Sequence, residues 1–222
     1  MMFKLEKYIN DLICECKNIF GERLLYVGLQ GSYLRKEAHE NSDIDIMVII
    51  DDMTIHDLND YRNILMLIGY FEKSCGFICG KEELQNWNPL EICQLLHTTK
   101  DYYGKLKDFA PSYTYEDERN YVKLSLGNLY HELCHRYIHS DKKKNEDKLP
   151  MTCKSIFFII QNIYYLNNGI FITTKQELLE CVKGEDKRIL KMTELLKNSS
   201  EYNFDEVFAD IFQWCKKTLI HI

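Results

Sequence analysis

The spacing of apolar residues changes repeatedly along the first half of the chain, which predicts a mixture of helices and strands. Residues 3–20 carry apolar side chains three and four positions apart, as a helix does, and Gly21 ends that pattern. Residues 24–29 and 43–50 are short, nearly continuous apolar runs that favour strands. The other elements predicted in this half are a helix at 54–68, a strand at 74–80, a turn or short helix at 81–87 and a helix at 89–97.

The second half keeps helical spacing throughout, so it predicts a bundle of helices. The charged run at 141–148 is expected to form a solvated loop, and Pro150 suits the first turn of the helix that follows. The helices predicted here are 116–140, 150–166, 174–183, 185–198 and 203–219. The first of them has an apolar stripe made of Tyr121, Leu124, Leu126, Leu129, Leu133 and Tyr137.

A short loop signal, Ala110-Pro111-Ser112, separates the two patterns. The length of 222 residues is enough for two modest domains. We therefore predict an α/β domain over residues 1–110 and a helical domain over residues 111–222. The predicted fold class is α+β (mixed α/β), a small sheet domain followed by a C-terminal helical bundle.

Composition removes several classes of function. A net charge of −6 disfavours general nucleic-acid binding, because proteins of that class carry a basic excess. No apolar run approaches the roughly 20 residues that cross a membrane, and Glu6 makes the first residues unlike a signal peptide. The nine cysteines form no pair of Cys-x-x-Cys motifs, which argues against a zinc ribbon. The expected location is the reducing cytoplasm, with no membrane association.

Two aspartates, Asp43 and Asp45, stand at the start of the second predicted strand. Residues two positions apart on a strand point to the same side, so the two carboxylates are expected to share one face. Neighbouring carboxylates repel each other and lose hydration there, and a divalent cation relieves both effects. Because oxygen ligands suit Mg²⁺, Asp43 and Asp45 are the predicted metal ligands and catalytic residues.

Gly31 and Ser32 follow the first predicted strand and supply the second half of this candidate site. A glycine lets the backbone approach a ligand closely, and Ser32 suits the N-cap of a short helix over residues 32–37. Free amide groups at such a helix start would face a phosphate. Together with the metal ligands, this arrangement predicts metal-assisted chemistry on a nucleoside triphosphate.

This stretch resembles the nucleotidyltransferase superfamily, which has the DNA polymerase beta-like fold. The resemblance rests on the strand at 24–29, the Gly31-Ser32 pair, and the Asp-x-Asp of Asp43 and Asp45 at the start of a second strand. The layout as a whole, a small nucleotidyltransferase-type sheet domain followed by helices, resembles kanamycin-type antibiotic nucleotidyltransferases. It is also similar to minimal nucleotidyltransferases with a helical C-terminal half.

The resemblance implies an enzyme that moves a nucleoside monophosphate, AMP by preference, from a magnesium-bound triphosphate to a hydroxyl of a small acceptor. An aminoglycoside-like antibiotic lying between the two halves is the expected acceptor, ATP or another NTP the substrate, and Mg²⁺ the cofactor. Asp43 and Asp45 would bind the metal, and Gly31, Ser32 and Arg35 the nucleotide. A homodimer or a protein partner is a further expectation.

One part of the superfamily pattern is missing. Active members generally carry a third carboxylate on the strand after the Asp-x-Asp strand, where it helps to bind metal and accepts a proton. The matching segment, 74–80, contains no acid, and the nearest candidates are Glu72, Glu82 and Glu83. The alternative function is therefore a nucleotide-binding or protein-modifying (antitoxin-like) homologue with weak or no turnover.

A rival motif lies in the second half, where His131-Glu132-Leu133-Cys134-His135 matches His-Glu-x-x-His. On a helix both histidines share one face, and His139 follows one turn later. In zinc proteases such histidines hold the metal and the glutamate activates water. A zinc hydrolase is a remote alternative, and a solvated or structurally satisfied histidine face is the default interpretation.

Overall fold

The computed structural model describes residues 3–198 and 202–222, and the chain divides into two compact units. The first unit is Met1–Tyr113 and the second is Thr114–Ile222. The boundary expected after residue 110 and the observed one after Tyr113 both fall between the last element of the first unit and the first helix of the second.

A four-stranded sheet organises the first unit. Its strands are β1 (Leu24–Leu29), β2 (Ile44–Ile50), β3 (Ser74–Gly80) and β4 (Lys100–Tyr103). Its helices are α1 (Leu5–Phe20), α2 (Gly31–Leu34), α3 (Ile55–Ile68), α4 (Lys81–Gln85) and α5 (Pro89–His97). The strand order is β3-β2-β1-β4; β1 runs antiparallel to β2 and β4, and β2 runs parallel to β3. The end of β1 and the starts of the other three strands therefore meet at one end of the sheet, the site end. The helices and strands predicted in this half are confirmed, and β4 is an additional strand.

β2 is buried on both faces, which explains its nearly continuous apolar sequence. Ile46 and Val48 face the core formed with α1 and α3. Met47 and Ile49 face a second core that includes Leu84 of α4. Because side chains alternate along a strand, Asp45 lies on the same side as Met47 and Ile49, at the site end.

An ion pair fastens the start of α3 to the segment before β1. Arg23 Nη2 lies 2.6 Å from Asp57 Oδ1, and Arg23 Nη1 donates to Asp57 Oδ2 over 3.2 Å. Thr54 also donates to Asp57 Oδ2, through its backbone N–H at 2.7 Å and its hydroxyl at 2.9 Å. The hydrogen bond from Arg23 holds the pKa of the buried Asp57 carboxyl well below its usual value.

Replacing this buried carboxylate should cost stability. We expect Asp57→Asn to lower the free energy of unfolding by about 2–3 kcal/mol at pH 7, because Arg23 and Thr54 lose a charged acceptor. The pKa is depressed in the folded state, so the contribution is present above about pH 4, the unfolded value, and is lost as pH falls below it. Urea unfolding at pH 7 and pH 3 measures both effects. The exposed Asp60→Asn on the same helix is the control, and an equal loss for both variants would contradict the assignment.

The second unit is a helical bundle, as predicted. Its helices are α6 (Tyr115–His139), α7 (Lys142–Thr152), α8 (Lys154–Asn168), α9 (Lys175–Cys181), α10 (Gly184–Asn198) and α11 (Phe204–His221). Leu126 of α6, Ile160 of α8 and Ile211 of α11 are fully buried in one core. Within residues 3–198 and 202–222, no helix is both long and apolar enough to cross a membrane.

The apolar stripe predicted for α6 is partly wrong. Leu126, Leu129 and Leu133 are buried as expected, and Val122 joins them. Leu124 and Tyr137, which the prediction placed in the stripe, are 53% and 60% exposed. The Leu124 and Leu126 positions lie about 200° apart around a helix, so both cannot face one core.

The charged run at 141–148 is helical, so the loop prediction was wrong. Asp141 caps α7, its side chain accepting from the Lys144 N–H at 2.8 Å. Asn145 and Leu149 are buried, one turn apart, while most of the charged residues between them are exposed. A single narrow buried line is enough to hold a helix whose other faces are solvated.

Pro150 belongs to the end of α7 and not to the start of the next helix, which corrects the prediction. A proline within a helix lacks the N–H that would bond the carbonyl four residues earlier. That carbonyl belongs to Glu146, and the Tyr202 hydroxyl donates to it over 2.7 Å. A tertiary hydrogen bond thus replaces the missing helical one.

Candidate functional site

Gly31 brings the end of β1 against the Asp45 carboxylate. Its φ of 68° lies in the left-handed region that favours glycine. A Cβ placed on Gly31 would overlap the carboxylate, lying 2.6 Å from Asp45 Cγ. The Gln30 N–H donates to the Asp45 carbonyl over 2.8 Å and holds the two segments in register. The glycine bend and an acidic residue of the motif are therefore direct neighbours.

The loop before β2 presents Asp43 at the same end of the sheet. The Ser42 N–H donates to the His39 carbonyl, and the His39 N–H donates to Ser42 Oγ, both over 2.9 Å. Ser42 is buried, and this tight turn ends immediately before Asp43. Asp43 is exposed and Asp45 is half-buried, so one carboxylate is solvated and the other is held against protein.

The environment of Asp45 disfavours its negative charge. Burial is the largest effect that raises the pKa of the Asp45 carboxyl above its usual value. A hydrogen bond with the Cys75 side chain lowers this pKa, while the charge of Asp43 raises it and that of Arg35 lowers it. Because the charge of Asp43 opposes the ionisation of Asp45, a cation would be favourable beside the Asp45 carboxylate.

Four side chains from four segments follow one another across the site end. Asp45 of β2 is in register with Cys75 of β3. The backbone N–H of Gln30 donates a hydrogen bond to the backbone carbonyl of Asp45. On the other side, Gln30 Nε2 donates to Thr99 Oγ1 over 2.8 Å, just before β4 begins. Cys75, Asp45, Gln30 and Thr99 thus form a polar row at the border of an apolar sheet.

Ser32 and Arg35 lie in and just after α2, the short helix that follows the bend. α2 begins at Gly31 with Gln30 at its N-cap position, so the prediction that Ser32 is the N-cap was wrong. The Ser32 carbonyl accepts from the Glu37 N–H over 2.9 Å, which closes the turn. Arg35 Nε is 3.0 Å from Glu37 Oε2, and its charge also reaches Asp45. Of the predicted nucleotide contacts, Arg35 supplies the positive charge.

The strand register separates the three candidates for a third carboxylate. Glu72 lies just before Ser74, which pairs with Ile44, so it is at the site end. Glu82 and Glu83 follow Gly80, which pairs with Ile50 at the opposite end. Five residues of strand separate Ile50 from Asp45, a distance of about 17 Å at about 3.3 Å per residue. Glu82 and Glu83 are therefore too far away to complete the site.

Cys75 occupies the position on β3 directly beside Asp45. Its side chain is exposed, and its S–H group donates a hydrogen bond to the Asp45 carboxylate. The strand after the Asp-x-Asp motif thus offers a sulfur atom where the superfamily pattern leads one to expect an acid.

The donor atoms at the site end fit a magnesium ion that is shared with a substrate. No group of three or more His, Cys, Asp and Glu residues in the described ranges could hold a metal by itself. Asp43 and Asp45 provide carboxylate oxygens, and Mg²⁺ is commonly held by one or two carboxylates, substrate phosphates and water. Because a Cβ on Gly31 would overlap the Asp45 carboxylate, a residue with a side chain could not occupy the Gly31 position beside this carboxylate.

The glutamate of the His-Glu-x-x-His motif is engaged with neighbouring side chains. Glu132, which would have to activate water, forms an ion pair with Arg136 and accepts a hydrogen bond from Thr152 Oγ1 at 3.2 Å. Neither His131 nor His135 belongs to a three-residue metal-binding group among the described residues. These contacts give the zinc hydrolase alternative no support.

A family-model match covers the part of the chain that contains the candidate site. Residues 13–89 match the family model described as "Nucleotidyltransferase domain". These residues are therefore similar to nucleotidyltransferase domains. The matched range includes β1, α2, β2 and β3, and hence Gly31, Asp43, Asp45 and Cys75. Over these residues, the match supports the predicted superfamily and the predicted nucleotidyltransferase class.

Solved structures extend the comparison to the fold of the whole chain. The crystal structure of spectinomycin adenyltransferase AAD(9) from Enterococcus faecialis with ATP and spectinomycin matches with a TM-score of 0.60 and 14% identity. The match covers 97% of this chain and 99% of the other, so the two share a fold. A crystal structure of a toxin-antitoxin with AMP-PNP matches at 24% identity, covering 58% and 92% of the two chains. Its TM-score of 0.33 does not establish a common arrangement. No curated protein sequence is significantly similar to this chain.

Sequence reasoning found the glycine bend and both aspartates but missed Gln30, Cys75 and Thr99. None of these three belongs to a recognisable motif. Their position beside Asp45 depends on how residues of four separate segments pair with one another. That pairing could not be predicted from the sequence. The absence of an acid between residues 74 and 80 was the only signal that pointed towards Cys75.

Proposed function

We propose that the nucleotidyltransferase domain binds a magnesium-bound nucleoside triphosphate and transfers its nucleoside monophosphate to a hydroxyl of a small polar acceptor. Asp43 and Asp45 hold the metal, while Gly31, Ser32 and Arg35 contact the phosphates. ATP is the preferred donor and an aminoglycoside-like antibiotic the preferred class of acceptor. The single observation that carries the proposal is that the Gly31 bend leaves no room for a Cβ beside the Asp45 carboxylate, within the range that matches the family model.

The proposed roles follow from simple electrostatics. When bound, Mg²⁺ neutralises phosphate charge and orients the reacting phosphorus. Asp43 and Asp45 provide two negative charges for the ion, and the Arg35 guanidinium, whose charge reaches Asp45, provides a positive one for a phosphate oxygen. The φ of 68° at Gly31 turns the backbone so that α2 begins beside the aspartates.

Transfer can be tested directly. The protein is incubated with Mg²⁺, ATP labelled on the α-phosphate and a panel of hydroxyl-bearing acceptors, with aminoglycoside-like antibiotics foremost. We expect label to appear on one acceptor with stoichiometric release of pyrophosphate, and no label without Mg²⁺. Transfer that proceeds unchanged in Asp45→Ala would refute the proposed role of this residue.

Gly31 offers a second test, because a methyl group there must displace the Asp45 carboxylate. We expect Gly31→Ala to weaken Mg-ATP binding at least about tenfold, or about 1.4 kcal/mol, in calorimetry. Gly21→Ala is a matched control: Gly21 also has a positive φ, 57°, but a Cβ there meets nothing within 4 Å. Equal binding by the two variants would show that Gly31 is needed only for the turn.

Cys75 favours a second function, a nucleotide-binding module with weak or no turnover. A neutral thiol beside Asp45 supplies neither a third negative charge nor a carboxylate base. The protein would then bind Mg-ATP in calorimetry but release no pyrophosphate with any small acceptor. Modification of a protein partner belongs to the same alternative and would appear as label transferred to that protein.

A further inference from the structure

A histidine row on α6 remains without a role in nucleotide transfer. His131, His135 and His139 are all exposed and follow one another at intervals of four residues. The ring centres of His135 and His139 are 4.8 Å apart, and those of His131 and His135 are 6.0 Å apart. The two distances differ enough that only one of them suits two imidazoles bound to the same cation.

The shorter spacing matches two imidazoles on one cation. With metal–nitrogen bonds of about 2.0–2.1 Å, and ring nitrogens about 1.2 Å from the ring centre, two ligands at about 90–109° have centres about 4.5–5.4 Å apart. The 4.8 Å between His135 and His139 lies inside this range. The 6.0 Å between His131 and His135 lies outside it. The pair that fits a cation is therefore not the pair in the His-Glu-x-x-His motif.

The position of this pair on the helix also favours a cation. His139 is the last residue of α6, where unpaired carbonyl groups give the helix end a partial negative charge. Arg136, the nearby positive side chain on this helix, is held by Glu132 and donates to the Lys148 carbonyl at 3.2 Å. These contacts engage the Arg136 side chain, while the imidazoles of His135 and His139 are exposed to solvent.

We propose that His135 and His139 form a two-ligand surface site for a divalent transition-metal cation of the Ni²⁺, Cu²⁺ or Zn²⁺ class. Imidazole nitrogen suits these ions, whereas Mg²⁺ and Ca²⁺ prefer oxygen. Water fills the remaining coordination positions. His135 and His139 belong to the second unit, whereas Asp43 and Asp45 belong to the first. Glu132 is engaged with Arg136 and Thr152.

The test uses Ni²⁺ alone with the full chain, in buffer containing excess Mg²⁺ to occupy carboxylate sites. Calorimetry compares the wild type with His135→Ala, His139→Ala and the matched control His131→Ala. Because each removes one of two nitrogen ligands, we expect His135→Ala and His139→Ala to weaken the binding at least about tenfold, or to abolish it. His131→Ala should retain the affinity within about twofold. Paramagnetic broadening of NMR signals by Ni²⁺ should be centred on residues 135–139.

Two outcomes would overturn the proposal. One is Ni²⁺ binding that His135→Ala and His139→Ala leave unchanged, as would happen if the exposed thiols of Cys14 and Cys75 bound the ion. The other is an equal loss in His131→Ala, which would mean that no specific pair exists. All three positions are exposed, so the variants should fold, and circular dichroism melting before the titration verifies this.

Discussion

Asp45→Asn should abolish magnesium-dependent nucleotide binding while leaving the protein folded. The substitution keeps the size of the side chain but removes the negative charge that faces Gly31. Removing groups that merely orient a metal ligand costs about 10- to 100-fold in affinity, so loss of a direct ligand should cost at least about a hundredfold. Calorimetry with Mg-ATP measures the affinity, and α-labelled ATP measures transfer.

The folded state should tolerate this change or gain from it. Burial and the charge of Asp43 raise the pKa of Asp45, so the negative charge is unfavourable when no cation is bound. Asp51→Asn is a matched control, because Asp51 immediately follows β2 at the opposite end and is exposed. Undiminished Mg-ATP affinity in Asp45→Asn would remove the metal site from the proposed function. A similar loss in Asp51→Asn would indicate a general effect of charge.

The second large effect should be an increase in the rate of nucleotide transfer. Cys75→Asp places a carboxylate on β3 directly beside Asp45, where the thiol now lies. A positioned acid or base contributes about 10²–10⁴-fold to catalysis, so we expect AMP transfer to rise by about a hundredfold at saturating Mg-ATP. A third carboxylate would also strengthen Mg²⁺ binding, which gives the variant a readout that does not depend on the acceptor.

Cys75→Ser separates charge from shape in this experiment. Serine keeps the small polar side chain and a hydrogen bond to Asp45, but it adds no charge, so transfer should stay near the wild-type rate. A gain in Cys75→Ser equal to that in Cys75→Asp would show that the thiol obstructs the site. If Cys75→Asp binds Mg-ATP and transfers no faster than the wild type, the missing carboxylate does not limit turnover.

The sequence by itself determined three of the four strands of the sheet and the chemistry of the motif. The alternation that puts Asp45 on one face of β2, and the glycine that allows a φ of 68°, are local properties of a few consecutive residues. Local steric rules and the period of a strand therefore sufficed to predict them. For the same reason, the superfamily could be inferred from residues 24–50 alone.

Only the tertiary structure decided which distant residues meet at the site end. Cys75 faces Asp45 across thirty positions of sequence, and a shift of one residue in that register would have brought its neighbour there instead. The same pairing removed Glu82 and Glu83 from the site. The charged helix α7 also depends on distant partners, since Tyr202 supplies the hydrogen bond that Pro150 cannot. The pairing of distant segments depends on tertiary packing, whereas the periodicity of each segment depends only on its own residues.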